Sequence, residues 1–440
     1  MRLLTAATFT LTFTLTLCSA PRHVTLMQEA GDAARAGDTA AVLAKLEEMA
    51  VLRPDYPRAH LNIAMYRAQA GESDAAIAAL RRMLEMGVRV NVDGNAAFDS
   101  LRELPAFQEL APRLQSGPDP VGASKAATFA LTGVTGIIES CLRDPESGAW
   151  FFGDVRNRCI WKSGPDGGAL EKFTSDEDAL DGVFRITFSA DRKTLWASTS
   201  TVGVMTGDDA EDGKRAAIVA IDFETGSVRE RYPTPDDGRK HLIGDFIIAS
   251  DGAIFATDSM SPVIWRLASG ADSLEPWLKN DDFVNLQGLA LSAEGDALYV
   301  ADYTNGIWRI DVAEKTPTLL VAPASATFFG IDGIYAVPGG IIAVQNGVNP
   351  QRVLHIEPHS CRVAACGDQA RSSQATTLQD HESAARIVTC GLPAMTDLAL
   401  GHVSGDSFHF VADSGWAMFD PAPEKAPEPR EVTIISIAIE

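Results

Sequence analysis

Four oxygen-bearing side chains occupy equivalent places along this chain: Glu139, Asp245, Gln287 and Asp332, with Asp397 in a fifth such place. Each is expected just before an innermost strand, in Gly136-Ile137-Ile138-Glu139, Ile243-Gly244-Asp245, Leu286-Gln287-Gly288, Ile331-Asp332-Gly333 and Met395-Thr396-Asp397. Carboxylates gathered in one place repel, and their pKa values rise unless a cation neutralises them. Oxygen donors on separate rigid elements suit Ca²⁺, which takes about six to eight ligands and accepts water in the remaining places. The plainer reading is a turn, because Asp-Gly before a strand is a common one. That reading suits Asp332-Gly333 taken alone. It does not account for four polar residues in one register, and Glu139 has no turn role.

For these residues to meet, the runs must be inner strands converging on one axis. The clearest run is Asn285 to Asp311, which reads as three short strands. Leu289 and Leu291 precede a turn at 293–296, Leu298-Tyr299-Val300 ends at Asp302, and Ile307-Trp308-Arg309-Ile310 follows Asn305-Gly306. Short β-rich runs broken by turn dipeptides signal antiparallel sheet. One phrase recurs: Asp154 before Ile160-Trp161-Lys162, Asp258 before Ile264-Trp265-Arg266, and Asp302 before Ile307-Trp308-Arg309. A repeated four-strand unit predicts a propeller. Counting from the opening residues, with Gly182-Val183-Phe184-Arg185 opening the second unit, gives six blades over 127–440. Uninterrupted intervals are 42 residues (Asp245 to Gln287) and 45 (Gln287 to Asp332). Two longer intervals carry insertions, an acidic loop at 207–214 and a polar segment at 361–385. The run Val432 to Ile439 is expected to close the ring against Ala127 to Leu131.

Residues 22–116 read as helical. Gly37 and Gly71 lie 34 residues apart, as do Leu46 and Leu80 and also Met49 and Met83. That period resembles tetratricopeptide repeats, a family that usually offers a concave groove to protein partners. The bland alternative is a helical hairpin that caps the propeller. Residues 117–126, with Ser116-Gly117-Pro118-Asp119-Pro120 at their head, read as the linker.

With 59 acidic against 37 basic residues the net charge is −22, which argues against nucleic acid or anionic lipid as a partner. Residues 1–20 read as a signal peptide, so the protein is expected to be exported, periplasmic or secreted. Cys18 offers a lipid anchor as the alternative and the one route to a membrane. Beyond it lie Cys141, Cys159, Cys361, Cys366 and Cys390, an odd number that leaves one thiol unpaired within the chain unless Cys18 joins in. Cys361 and Cys366 are close enough in sequence to form a small loop. No spacing matches a zinc site. The serine-hydrolase elbow, the His-Glu-x-x-His zincin motif, the P-loop and the dinucleotide fingerprint are absent.

The stretch from about Gly136 to Asp420 resembles the SMP-30/gluconolactonase/LRE-like six-bladed calcium propellers. The resemblance is carried by Gly136-Ile137-Ile138-Glu139 running into Trp150-Phe151-Phe152-Gly153-Asp154, by Gln287-Gly288 where that family has Asn-Gly, and by Asp332-Gly333. It implies a metal held by Glu139, Gln287 and Asp332, with Asp245 in a metal- or substrate-contacting place. The implied chemistry is hydrolysis of a lactone or related ester, with Asp332 or Asp245 as general base. Gln287 departs from the family by one methylene. The histidine pair of paraoxonase-type lactonases has no counterpart, since no histidine lies between Asp119 and Lys240; His241 alone stands near the rim. The competing function is a non-catalytic scaffold, with helical repeats and propeller both used for recognition.

Overall fold

The computed structural model describes residues 21–117, 119–207, 211–359, 382–419 and 428–439. The expected signal peptide with Cys18, the Cys361–Cys366 loop and the tip of the acidic loop lie outside the described residues. Cys141, Cys159 and Cys390 are buried free thiols.

Helices α1 (Arg22–Arg35), α2 (Thr39–Leu52), α3 (Pro57–Gln69) and α4 (Ser73–Glu85) form two hairpins, followed by α5 (Pro105–Gln115). The 34-residue spacing has a local cause. Gly37 and Gly71 both take a left-handed conformation (φ 74° and 76°). Each closes a helix with the same bond pair: Asp38 N–H to Ala33 O and Gly37 N–H to Ala34 O, then Glu72 N–H to Arg67 O and Gly71 N–H to Ala68 O. A residue with a Cβ is strained there, which is why glycine ends both helices. Asp38 then caps α2 by accepting from Ala41 N–H, and Pro57 opens α3 where no N–H donor is needed. Leu46, Ala64, Ala76, Leu80 and Met83 fill the space between the hairpins. The alanines let the helices approach closely.

The rest is a β-propeller. Four-stranded antiparallel sheets are formed by the strands within 182–233, 243–279 and 286–319, and by those of 331–357 together with Ala384–Cys390. The strands of 138–172 and of 401–438 belong to one eight-stranded sheet, joined through Ala126–Val134. That strand pairs antiparallel with Arg430–Ala438, with Thr128 opposite Ile435, and parallel with Gly167–Lys172. The two ends of the β-rich part thus close on each other as expected, leaving no free edge at the seam. The inner strands Ile138–Arg143, Gly182–Phe188, Ile243–Ile248, Leu286–Leu291, Ile331–Val337 and Gly401–Ser404 contact one another in a closed ring. Apolar side chains from facing sheets fill the gaps between them, as where Phe151 and Ile160 meet Ile186 and Ala197.

The recurring Asp-to-Trp phrase is a clamp. Asp154, Asp258 and Asp302 are buried, and each accepts an indole N–H: Trp161 at 2.8 Å, Trp265 at 3.0 Å and Trp308 at 3.3 Å. Each also takes backbone N–H groups from the loop that enters the inner strand, such as Ile137, Leu242 and Asn285. In register, the three aspartates stand opposite Ile138, Ile243 and Leu286, the residues that open those strands. The clamp therefore fixes the loop that delivers each site residue. At Asp258 it also takes in a histidine, since His241 Nδ1 (2.6 Å) and the N–H groups of Met260 and Ser261 bind there too. Asp258→Asn should lower unfolding free energy by about 2 kcal/mol, because hydrogen bonds to a buried charged acceptor are each worth about 1.5–3. Urea denaturation checks this; a loss below about 0.5 kcal/mol would mean the clamp is not stabilising.

In the sheet that starts at Ile331 the clamp takes another form. Gln345 stands opposite Ile331 and accepts from Arg352 Nε at 2.6 Å, at the seven-residue spacing of Asp154–Trp161 and Asp258–Trp265. The buried Arg352 head reaches on to the carbonyls of Met86 and Gly87 beyond α4. Tyr56 stacks on Phe329 at 4.4 Å between ring centroids, and Arg53 lies over the same ring. The helices are thereby seated on the propeller face that carries the site.

Candidate functional site

A common distortion positions the site residues. In five inner strands the pairing register slips near the start, at Glu139, at Phe184-Arg185, at Gly244-Asp245, at Gln287-Gly288 and at Asp332. A bulge bends a strand and re-aims the side chain it carries. Glu139, Asp245, Gln287 and Asp332 are thus inside the strands rather than ahead of them, and the slip directs them to the axis. Gly288 is required for the same packing: a Cβ there would come within 2.5 Å of Ile334 N. Glycine after the site residue serves close strand approach, not a turn.

All four expected residues line one cavity of about 640 Å³ at the channel mouth. Glu139 is buried and accepts a hydrogen bond from Trp416 Nε1 at 2.5 Å. Asp332 is half-buried, open toward the cavity, and accepts from Asn346 Nδ2 at 2.8 Å. No cation of the chain lines this cavity among the described residues. Burial, then the negative charge of Asp332, pushes the Glu139 carboxyl well above the usual range. Burial chiefly, with the charges of Asp245 and Asp397 added, pushes Asp332 to about 7. Asn346 Oδ1 is buried without a donor. Two carboxylates and a spare amide oxygen are the donor set of a hard cation.

The other two expected ligands are engaged elsewhere. Asp245 forms an ion pair with Arg185 (3.4 Å) and caps its own strand through Phe246 N–H. Burial raises its pKa to about 6 against the pull of Arg185. Gln287 donates to Asn285 Oδ1 at 2.7 Å, and its own oxygen lies 3.4 Å from the Ser259 hydroxyl. Among the described residues no three His, Cys, Asp or Glu side chains come together as a metal cluster. Asp397 does not open an inner strand. It binds Ser414 Oγ and the N–H groups of Gly415 and Trp416, so it holds the indole that Glu139 accepts from. His241 is neither solvated nor a ligand; it is buried between Asp258 and Asp237, and the Asp258 hydrogen bond raises its pKa.

Sequence reasoning misses Arg185, Asn346 and Trp416 as site residues. Arg185 has a signal, since it ends the phrase that opens the second unit. Its guanidinium pairs with the cavity residue Asp245, donates to Gly401 O and rests 5.0 Å from the centre of the Tyr335 ring. Asn346 follows a strand and Trp416 opens a short 3-10 helix (Trp416–Met418), and no repeat marks either.

No family model and no curated protein matches this chain. Among solved structures, a gluconolactonase from Xanthomonas campestris aligns over 74% of this chain and 99% of its own at 13% identity and a TM-score of 0.45. The PQQ-bound aldose sugar dehydrogenase of Streptomyces coelicolor aligns over 72% and 100% at 11% identity and 0.43. A streptogramin B lyase aligns over 67% and 83% at 13% identity and 0.44. Likenesses at this level carry no argument about activity.

Proposed function

We propose that the channel mouth hydrolyses a lactone or related ester with the help of a bound divalent cation, Ca²⁺ in the first place. The observation that carries this reading is the Glu139–Asp332 pair: two carboxyls at the base of an open cavity, with no Lys or Arg among its described lining residues to neutralise them. Glu139, Asp332 and the Asn346 oxygen would hold the ion, with Gln287 reaching it only through water because its amide is already bonded. When bound, the cation supplies Lewis-acid polarisation of an ester carbonyl. Asp332 takes a proton from the attacking water and returns it to the leaving oxygen. Phe184, Val202 and Leu242 on one side of the cavity exclude bulk water from that exchange. Asp245, paired with Arg185, is assigned to position the strand rather than to act as base.

The reading includes six blades, counting each inner strand of the ring as one, tetratricopeptide-like helical repeats over 22–116, and export through residues 1–20. A second reading, a recognition scaffold without turnover, is favoured by the diversion of Asp245 to Arg185, which leaves two carboxylates where three were expected. Calorimetric titration of chelator-stripped protein with Ca²⁺ separates the two readings from each other and from a channel that holds no ion. Saturable binding is expected, lost in Glu139→Gln, and turnover of a lactone and ester panel should follow the same occupancy. Binding without turnover supports the scaffold; no binding removes the cation from the site.

A further inference from the structure

Between the helices and the propeller lies a second cavity of about 380 Å³. Leu61, Met83, Val88, Phe329 and Val348 give it an apolar body. Tyr303 lines both this crevice and the channel mouth, so the two spaces are neighbours across one side chain. Their charges are opposite. Among the described residues, Glu139, Asp212, Asp245 and Asp332 line the channel mouth with no Lys or Arg, whereas Arg58 and Arg89 are the charged residues of the crevice and no Asp or Glu lines it. Arg58 is near the Tyr56 hydroxyl and acts on its titration, and no carboxylate lies within ion-pair distance of it among the described residues. Arg89 has no acidic partner among the described residues, and its Nε and Nη1 are buried without an acceptor. The two arginines thus border one apolar crevice in a chain of net charge −22. Buried donors without acceptors cost free energy that an incoming anion offsets.

We propose that this crevice is a binding site for a ligand with an apolar body and one anionic group, held by Arg58 and Arg89 and packed on Phe329. The floor is already built, since Tyr56 and Arg53 both lie 4.4 Å from the centre of the Phe329 ring that lines the crevice. The site stands whether or not the channel mouth is hydrolytic.

The test is calorimetric titration with 4-phenylbutyrate and with 4-phenylbutanol, a matched acid and alcohol. The acid should bind at least about tenfold more tightly to the unaltered protein, a comparison that needs no variant. Arg58→Gln and Arg89→Gln should each bring the acid toward the alcohol, with circular dichroism confirming the fold. Equal affinities, no binding of either probe, or an acid affinity unchanged in both variants would overturn the site. Asp332→Asn separates this from the hydrolytic reading. Acid binding should be unchanged there, and a gain would place the probe at the channel mouth and overturn the crevice assignment. Acid binding alongside unchanged turnover in Asp332→Asn would remove only the hydrolytic reading.

Discussion

Asp332→Asn should lower kcat/KM for the best lactone or ester of the panel by about 10³-fold while leaving the protein folded. General acid–base catalysis by one positioned group contributes about 10²–10⁴. Asp332 suits that role because its carboxylate opens onto the cavity and is held in place by Asn346 Nδ2. Asparagine keeps the shape, but it cannot accept a proton and brings no charge. The Asn346 contact can be retained through the new amide oxygen, so the loss would not come from collapse of the cavity. Asp245→Asn gives the contrast. It strips the buried Arg185 of its ion-pair partner. Removing one partner of a buried pair costs roughly 3–5 kcal/mol of stability. That variant should therefore fail first in thermal denaturation, with a smaller change in kcat per folded molecule. Turnover of Asp332→Asn within about threefold of the unaltered protein would remove Asp332 as the base.

How far the sequence leads to this site depends on which residues repeat. The Asp-to-Trp phrase was legible because three sheets solve the same problem with the same residues, tying the loop before an inner strand to the strand beside it. Glu139 and Asp332 were legible through that register. The Gln345–Arg352 pair was not, although it fills the same place, because Gln and Arg share no letters with Asp and Trp. Bulges leave no mark either. They are set by pairing between distant strands, so residues expected before the strands lie inside them. Arg185 shows the consequence. Its position in the second unit matches that of the acids, but a search for oxygen donors passes over a cation, and only the fold shows that it holds Asp245. The helical hairpins were legible because Gly37 and Gly71 each require a left-handed backbone, a local constraint that survives any tertiary context.

The same carboxyl pair should make the metal-free protein less stable as pH rises and should make Ca²⁺ reverse that loss. Folding raises the Asp332 pKa from its ordinary value to about 7 and raises Glu139 in the same direction. The folded state then holds more protons than the unfolded chain between roughly pH 4 and pH 7, so stability falls with rising pH across that window. The contribution is fully present below the unfolded pKa values and is lost once pH passes the folded ones. Each tenfold gain in proton affinity on folding is worth about 1.4 kcal/mol, so the pair should account for a few kcal/mol. A cation that binds only the ionised folded pair stabilises by about 2.7 kcal/mol at a hundredfold excess over Kd. Melting curves at pH 5 and pH 8, with and without Ca²⁺, should show a large upward shift in Tm at pH 8 and a small one at pH 5. Glu139→Gln removes one charge of the pair, so the metal-free variant should melt higher than the unaltered protein at pH 8 and lose its response to Ca²⁺. A variant that melts lower and still responds would mean that Glu139 neither repels Asp332 nor contributes to the ion, and that the cation binds elsewhere on this acidic surface.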